Sequence, residues 1–488
     1  MQDYVWLFGE PIPSNGDSTF GGSTIYFIDS VQVAFEERAL NIQRTNGSIS
    51  SPTGRLQIYS NGCFIANEFH VVLDSSKINP GNLYEESCGE NGESGYNIPQ
   101  GILMLHLPMD TNMIYAFHQR LELFPNESSF EIFVDKLFIS KAVIDNGAAS
   151  IGFINYTIIE DTLFSGLLTA VRHANNGDWW IMQAERNNNG YYKVLFSDTG
   201  VDTILRQNIG LPSNPNGSGS GQAVFSPDGT QYARYNKFDG VYLFDFDRST
   251  GQLSNFKHLM PADTLGSGGV AFSPSGQYLY VTSLIYLYQY DLWADDIPGS
   301  KVLVDTYDGY LENGIFPTTF FLMQLAPDCR IYMSSTSSAR HLHVINQPDL
   351  AGKACDFRQH SFPLPTWTFT TMPNFPNFRL GTGYAVCDTA LHAQVVTSVA
   401  PEPAYRPRAG QLRAWPNPAT AALHLDWTGS SADALQVYDL LGRLHHRERL
   451  PPGLPETRLD VSGWPAGLYV VRLLRQGRPV ARVKVLVE

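Results

Sequence analysis

Three segments of the sequence carry side chains of the kinds that ligate metal ions. His341 and His343 are separated by one residue, which places both imidazoles on one face of a strand. The polar insert 74–101 contains four glutamates, and Asp245–Gly251 alternates carboxylates with other residues, but neither contains the Asp-x-Asp-x-Asp-Gly loop of common calcium sites. We interpret the histidines as an outer-strand pattern, the insert as a solvated loop and Asp245–Gly251 as a strand that ends in a hairpin turn, so we expect no metal site.

The chain lacks the short motifs of common hydrolases and nucleotide-binding enzymes. No Gly-x-Ser-x-Gly, His-Glu-x-x-His or phosphate-binding glycine loop occurs in it. Four tryptophans, Trp179, Trp180, Trp293 and Trp367, could stack on sugar rings, although aromatic side chains also serve packing. We therefore expect no cofactor and no recognisable catalytic residue.

The composition predicts a strand-rich globular protein that does not bind nucleic acid. The chain has 488 residues with 33 Lys and Arg against 47 Asp and Glu, and a net charge of −14 provides no broad basic face for phosphates. The 42 Gly and 30 Pro residues, with 16% charged residues, favour turns and strands. No apolar stretch approaches the roughly 20 residues that span a bilayer. The first twenty residues lack a basic segment followed by an apolar one, so we expect no signal peptide in this chain.

A tight turn followed by an alternating, aromatic-rich run recurs along the first 390 residues. The clearest copies are Ser226–Gly229 and Ser273–Gly276, and related turns occur at 51–54, 108–111, 174–177 and 326–329. Proline presets the second position and glycine permits the fourth, so each copy predicts a strand, a turn and a strand. The fourth residues of the last four copies, Gly177, Gly229, Gly276 and Cys329, are 52, 47 and 53 residues apart. A period near fifty predicts an all-β fold of the β-propeller type.

The six turns predict at least six blades, and we favour seven over six. Strands near 5–8 and 24–29 would complete a seventh blade by pairing with a C-terminal strand near Thr368–Leu380. A β-sandwich is disfavoured because its turns recur every 8 to 12 residues or so without a longer period.

The turn phrase resembles the Ser-Pro-Asp-Gly repeat of TolB-like and lactonase-like propellers. More specific phrases resemble a family of exported bacterial propellers, namely Tyr59–Cys63, Pro99–Gly101, Gln324–Cys329 and Met372–Leu380. The resemblance spans roughly residues 1–390 and implies a propeller domain, which we place at 1–394. It implies no particular ligand.

The composition of the sequence changes after residue 394. A Pro-rich segment at 395–410 predicts a linker. Residues 411–488 then hold ten Arg or Lys and seven Asp or Glu, a net charge of +3 that leaves −17 on the rest of the chain. Their alternating apolar pattern predicts a small antiparallel β-sandwich.

Four motifs in this last domain resemble, in order and spacing, those of the type A sorting domain of the type IX secretion system. They are Trp415-Pro416-Asn417-Pro418, the turn containing Asp439, Gly442 and Arg443, the strand start Gly467-Leu468-Tyr469, and the terminal run that begins at Lys484. One departure is Trp415, where the family usually has Tyr. The resemblance implies a protein that is secreted or attached to the outer cell surface, with the type IX machinery and a sortase-like peptidase as partners.

Five cysteines are present, and none has the Cys-x-x-Cys spacing of zinc sites. The implied export favours disulfides. Cys63 and Cys88 fall within one predicted blade and its following loop, and Cys329 and Cys355 flank one outer hairpin. Local pairing therefore predicts these two bonds with Cys387 free, and the rival pairing joins Cys355 to Cys387.

The predicted function is that of a secreted or surface-displayed propeller that binds an extracellular glycan, polymer or protein through loops at one end of its channel. The alternative is a propeller-type hydrolase or lactonase-like enzyme with its site at the channel mouth. Carboxylate, Asn or His side chains converging at the mouth would favour the enzyme, and an apolar lining with Ser or Thr would favour binding.

Overall fold

The computed structural model divides the chain into two compact units, one of residues 1–145 and 149–399 and one that contains 400–488. The residues it describes are 2–9, 19–38, 40–73, 77–89, 94–125, 130–145, 147–261, 266–392, 412–427, 432–439, 443–451, 456–475 and 478–487. The predicted linker 395–410 lies outside them. In the described part, no helix is long and apolar enough to cross a membrane.

The first unit begins with three antiparallel sheets in which consecutive strands are neighbours. Blade 1 contains β1 (Val5–Gly9), β2 (Gly22–Phe27) and β3 (Val31–Glu36), and blade 2 contains β4 (Gly47–Ser50), β5 (Leu56–Ser60) and β6 (Ile65–Asn67). A short helix, α1 (Tyr84–Cys88), precedes blade 3, which contains β7 (Ile102–Leu107), β8 (Asp110–Pro125), β9 (Phe130–Asp145) and β10 (Ala148–Leu163).

Four further sheets repeat the same four-stranded meander. Blade 4 contains β11 (Thr169–Arg172), β12 (Trp179–Ala184), β13 (Gly190–Ser197) and β14 (Gly200–Asn208), and blade 5 contains β15 (Gln222–Phe225), β16 (Gln231–Asn236), β17 (Gly240–Asp247) and β18 (Gln252–Leu259). Blade 6 contains β19 (Val270–Phe272), β20 (Tyr278–Ser283), β21 (Tyr286–Asp291) and β22 (Val302–Thr306). A hairpin of β23 (Leu311–Glu312) and β24 (Phe316–Pro317) precedes blade 7, which contains β25 (Phe320–Leu325), β26 (Ile331–Ser335), β27 (Ser338–Ile345) and β28 (Phe357–Phe369). Helix α2 (Thr389–His392) follows the last blade.

The repeated turns all join the first and second strands of a blade, as the repeat pattern predicts. In blades 5, 6 and 7 the amide of the fourth residue donates to the carbonyl of the first, at 2.8, 2.9 and 3.1 Å. In these three turns the fourth residue has a positive φ, which glycine tolerates best, and Cys329 takes this conformation in blade 7 with φ 68°. We call the six connections the marker turns. Blade 1 has none, because its first two strands are joined through residues 10–21.

The described residues form seven blades, the favoured number, but the expected C-terminal closing strand is wrong. Strand β28 ends at Phe369 and belongs to blade 7, and no strand is found between 370 and 380. Pro373 and Pro376 have no backbone N–H to donate to a ladder, so this segment is unsuited to a strand. Blade 7 instead packs directly on blade 1, where the Thr366 amide donates to the Ser23 hydroxyl at 3.1 Å.

Of the two expected disulfides, one is present in the structure and one is wrong. Cys63 and Cys88 are bonded. Cys329 is bonded to Cys387, and Cys355 is a buried free thiol. The rival pairing of Cys355 with Cys387 is wrong as well. The cause is the path of the chain after blade 7, which returns to the marker turn of that blade, where the Asp388 amide donates to the Pro327 carbonyl at 2.7 Å.

The second unit is a sandwich of two antiparallel sheets, as its alternating pattern predicts. One sheet contains β29 (Arg413–Trp415), β30 (Ala422–Asp426) and β33 (Glu456–Asp460), and the other contains β31 (Ala434–Asp439), β32 (Leu444–Arg449), β34 (Gly467–Arg475) and β35 (Arg478–Val487). Alternate residues of both sheets, such as Leu425, Val437, Val471 and Val485, form a separate core around Trp427.

Candidate functional site

The axial channel of the propeller is crossed by two glutamine side chains. Gln100, just before β7, donates to the carbonyl of Ala223 at 2.9 Å and accepts from the amide of the same residue at 2.7 Å. Gln222 makes the same pair of bonds with Met323. Each amide therefore satisfies both backbone groups of a residue two blades away, which ties blade 3 to blade 5 and blade 5 to blade 7.

The segment after the last blade fills much of the remaining channel. The Asn374 amide group donates to the carbonyls of Ile102 and Leu168, both at 2.8 Å, and its oxygen accepts from Gln100. Its backbone amide donates to the Asn46 carbonyl at 3.2 Å. One residue thus joins blades 2, 3 and 4, and we call residues 370–380 the plug.

The channel mouth above the plug is small and its charges are paired. Arg379 forms a bidentate ion pair with Asp3 at 2.7 and 2.9 Å, and both side chains are buried. Burial opposes the charge of Arg379, but the Asp3 carboxylate raises its pKa above the ordinary arginine value. The cavity beside this pair, between Gln324 and Phe375, has a volume of only about 70 Å³. The two charged side chains at this mouth are therefore paired with each other.

The four candidate tryptophans differ sharply in exposure. Trp179, Trp180 and Trp367 are buried, and their rings pack between or within blades. Trp293, the second residue after β21, is 67% exposed. Only this tryptophan, among the four, presents its ring to a ligand.

Trp293 borders an open groove of about 550 Å³ between blades 5 and 6. The groove lies along the edge of the propeller that carries the marker turns, and we call it the rim groove. Its walls are polar apart from the indole and two buried apolar side chains, Phe246 and Leu292. The lining residues are Ser226, Asp228, Thr230, Gln231, Asp245, Phe246, Asp247, Ser254, Ser275, Gly276, Leu292 and Trp293.

Two carboxylates of the rim groove are held in place by neighbouring hydroxyl and amide groups. Asp247 accepts from the side chains of Ser249 and Thr250, and these bonds lower its pKa to about 2. Burial opposes ionisation of Asp228, but donation from Ser226 and Thr230 lowers its pKa below the ordinary value. Both are therefore ionised at neutral pH, and the groove contains no Lys, Arg or His among its lining residues.

The two candidate histidines face different partners. His341 Nδ1 lies 2.7 Å from the Glu312 carboxylate. His343 is buried, accepts from the backbone amide of His360 at 2.9 Å, and has its pKa lowered to about 3 by burial. No group of three or more His, Cys, Asp or Glu side chains placed to hold a metal is found among the described residues.

In the polar insert, residues 74–76 and 90–93 lie outside the described part of the chain. Its middle portion forms α1, which is tied to blade 2 by the Cys63–Cys88 bond. At 245–251 the chain is a strand followed by a hairpin turn, in which the Gly251 amide donates to the Asp247 carbonyl at 2.8 Å.

The first sorting motif of the second unit clamps its last strand. The Asn417 side chain donates to the Lys484 carbonyl at 3.0 Å and accepts from the Leu486 amide at 2.8 Å. Trp415 is half-exposed and stacks on His424 with ring centroids 5.7 Å apart. Pro416 and Pro418 flank the clamp. The first and last motifs, 67 residues apart in sequence, therefore meet in the structure.

The other motif residues occupy strand ends. Arg443 returns to Asp439 through its backbone amide and its guanidinium, at 3.0 and 2.9 Å. Gly467 and Leu468 open β34, and the Tyr469 hydroxyl donates to the Pro465 carbonyl at 2.8 Å. Gly442 lies outside the described residues.

The roles of Gln100, Asn374 and Arg379 were not predicted from the sequence, although all three lie in the segments that resemble exported propellers. A signal was available for Asn374 and Arg379, because their segment contains prolines and lacks the apolar alternation of a strand. The sequence provided no reason to prefer Trp293 over the other tryptophans.

Solved structures that match the chain share little sequence with it. A protein from Lactobacillus plantarum is 13% identical, with 76% of this chain and 98% of that chain covered and a TM-score of 0.43. The β-propeller domain of Cps50 (Swd1) from Myceliophteria thermophila is 10% identical, covering 68% and 93% with a TM-score of 0.35. A gluconolactonase from Xanthomonas campestris is 12% identical, covering 67% and 92% with a TM-score of 0.30. No curated protein matches the chain.

The second unit has a clear sequence relationship. Residues 413–488 match the profile of the family described as "Secretion system C-terminal sorting domain". This match covers all four motifs, including the Asn417 clamp and the last strand that it holds. The chain is therefore a β-propeller protein that carries a type IX secretion sorting domain at 413–488, and this domain marks it as secreted or attached to the cell surface.

Proposed function

We propose that the propeller is a binding module without enzymatic activity and that its extracellular ligand occupies the rim groove. The observation that supports this most is the contrast between the rim groove and the channel mouth beside Arg379. The channel mouth has about 70 Å³, whereas the rim groove has about 550 Å³ and exposes Trp293. Ligand pockets usually have about 300 to 1,000 Å³.

The test compares binding and turnover in the full-length protein. Dextran, xylan, polygalacturonate and collagen are immobilised as probes, and glucono-lactone is offered as a substrate. We expect retention on at least one probe without lactone hydrolysis. Trp293→Ala should weaken retention at least tenfold. The matched control is Tyr156→Ala, which removes another aromatic ring that is 67% exposed but lies on β10, in blade 3.

Two results would contradict the proposal. Hydrolysis of the lactone by the wild-type protein, lost in Gln100→Ala, would favour the enzyme alternative at the channel mouth. Retention that is unchanged in Trp293→Ala would place the ligand elsewhere on the propeller.

We also propose that the type IX machinery and a sortase-like peptidase are the partners of residues 411–488. Deleting this segment should leave a folded propeller in the periplasm, which fractionation and immunoblotting would detect. Normal recovery of the truncated protein outside the cell would contradict this assignment.

A further inference from the structure

At the rim groove, a polar contact that is found at two other junctions between neighbouring blades is missing. At the junction of blades 4 and 5, Arg248 donates to the carbonyls of Arg172 and His173 at 2.8 and 3.1 Å, and to the Asn176 side chain at 2.9 Å. This arginine leaves β17 of blade 5 and fills the space beside the marker turn of blade 4.

The junction of blades 6 and 7 is closed by a different residue in a similar place. Asp349, which follows β27, accepts from the backbone amide of Ser275 at 2.9 Å and from its hydroxyl at 2.5 Å. Ser275 belongs to the marker turn of blade 6. Two junctions on this edge therefore have a polar strap from one blade to the marker turn of the preceding blade.

The junction of blades 5 and 6 has no such strap. The second and third strands of the two blades pair in the same register, since Gln231 pairs with Asp245 in blade 5 and Tyr278 pairs with Asp291 in blade 6. The two aspartates therefore occupy equivalent positions, and so do the residues three positions after them. These residues are Arg248 in blade 5 and Ala294 in blade 6. In the described part of the chain, no hydrogen bond joins blade 6 to the marker turn of blade 5. The missing arginine leaves the groove open, with Trp293 at its edge.

The charge of the groove restricts the class of ligand. Three carboxylates and no basic side chain line it, and Arg248 beside Asp228 offsets only part of this charge, so an anionic ligand would be repelled. The carboxylates of Asp228 and Asp247 are already occupied by hydroxyl and amide donors of their own turns. Asp245 differs, because only its Oδ2 is engaged, by Asn255 at 2.8 Å. Among the described residues its other oxygen has no hydrogen-bond donor.

The aromatic geometry separates a sugar from a cationic ligand. The carboxylates and the indole face also attract a cation, but the groove has one exposed indole rather than an aromatic cage, and Asp228 and Asp247 already accept hydrogen bonds from their own turns. A flat indole beside hydroxyl, amide and single carboxylate groups suits a pyranose ring, which has an apolar C–H face and a rim of hydroxyls. The polar side chains available to such hydroxyls are Thr230, Gln231, Asp245, Ser254 and Ser275.

We propose that the rim groove binds a neutral sugar chain, with one pyranose ring stacked on Trp293 and a hydroxyl of that chain donating to Asp245. This inference rests on the proposed function, since it names the ligand class of the same groove. A volume of about 550 Å³ accommodates a short segment of such a chain rather than a single small group.

Calorimetric titration of the full-length protein tests the ligand class. The probes are the hexasaccharides of cellulose, laminarin, starch, mannan and xylan, with hexalysine and oligogalacturonate as charged competitors. We expect at least one neutral hexasaccharide to bind. Trp293→Ala should lower its affinity at least tenfold and Asp245→Asn at least threefold, while Tyr156→Ala stays within twofold.

A second variant fills the groove instead of removing the Trp293 ring. Ala294 is partly exposed, so Ala294→Arg can be tolerated. The new arginine should form a strap to the marker turn of blade 5, like the strap that Arg248 forms to the marker turn of blade 4. We expect it to lower sugar affinity at least tenfold with an unchanged melting temperature, which separates loss of the site from loss of the fold.

The outcomes distinguish the inference from the proposed function. Binding of hexalysine or oligogalacturonate that depends on Trp293, with no neutral sugar bound, would overturn the sugar class and leave the binding module. Sugar binding unchanged in both Trp293→Ala and Ala294→Arg would overturn the groove as the site. Failure of all five neutral hexasaccharides to bind would overturn the inference, and lactone hydrolysis would overturn the proposed function as well.

Discussion

The axial channel and the rim groove are lined by the same repeats, yet the chain fills the first and leaves the second open. In the channel, Gln100 and Asn374 bond to backbone groups of several blades, and Arg379 is paired with Asp3. In the groove, the largest side chain, Trp293, is mostly exposed to solvent. In the channel, polar side chains therefore join the blades to one another, whereas the open surface lies at a blade junction. Substitutions in the two regions should therefore affect different measurements.

The largest effect is expected from breaking the ion pair at the channel mouth. Arg379→Ala leaves the buried Asp3 carboxylate without its partner, and such a loss costs about 3 to 5 kcal/mol of the free energy of unfolding. Urea denaturation measures it. The control is Arg443→Ala in the sorting domain, where an exposed arginine pairs with Asp439 and a loss of about 1 kcal/mol or less is expected. Equal losses in the two variants would mean that the channel pair is not a buried one.

A smaller loss is expected from the bond that holds the segment following the plug. Cys387→Ser removes the Cys329–Cys387 disulfide, whose partners are 58 residues apart, and should lower the free energy of unfolding by about 2 to 4 kcal/mol. Non-reducing peptide mapping of the wild-type protein should find this bond, and Cys355 should react with iodoacetamide only after unfolding. A Cys329–Cys355 peptide would contradict the path of the chain described above.

Acid should lower the free energy of unfolding without a parallel change in ligand affinity at the rim groove. His118, which is buried between Asn79 and Ser140, has its pKa lowered to about 3 by burial, whereas an unfolded histidine takes up its proton near 6.5. Between these values the unfolded state binds more protons, so stability rises with pH and falls as the pH drops below about 6.5.

The expected loss is about 1.4 kcal/mol per pH unit for each such histidine. Urea denaturation at three pH values, about 7.5, 6 and 5, measures the slope across this window, and His118→Gln should flatten it. Ligand affinity of the folded protein should not follow this slope, because the groove is lined by no histidine and Asp247 stays ionised. A slope that is identical in the wild type and His118→Gln would refute the assignment to this histidine.

The smallest effect on stability is expected in the groove itself. Trp293→Ala removes a ring that is mostly in solvent, so the free energy of unfolding should change by no more than about 0.5 kcal/mol. Urea denaturation beside Tyr156→Ala checks this. A loss above about 2 kcal/mol would show that Trp293 serves packing, as Trp179 and Trp180 do.

Local chemistry made much of the fold predictable from the sequence. The clearest marker turns are determined by Pro at the second position and a residue that accepts positive φ at the fourth, so Ser226–Gly229 and Ser273–Gly276 could be assigned to strand connections from residue types alone. The sorting sandwich followed from period-two alternation in the same way. The Cys63–Cys88 bond was predictable because its partners lie in one blade and the next loop.

The remaining features depend on where distant segments meet. Cys329 pairs with Cys387 because the chain returns across the propeller after blade 7. The spacing of the cysteines in the sequence does not reveal that path. The sequence did not show that Trp293 is exposed and Trp179 is buried, since both lie in or beside aromatic-rich strand patterns. Alignment of the repeats does hold one clue, because Ala294 stands where the neighbouring repeat has Arg248.

A crystal structure of the full-length protein soaked with a binding hexasaccharide tests most directly whether the ligand lies in the rim groove or in the axial channel. We expect sugar density stacked on the Trp293 ring with a hydroxyl within hydrogen-bond distance of Asp245. Density at the channel mouth, between Gln324 and Arg379 and with the plug displaced, would contradict the placement of the ligand in the rim groove.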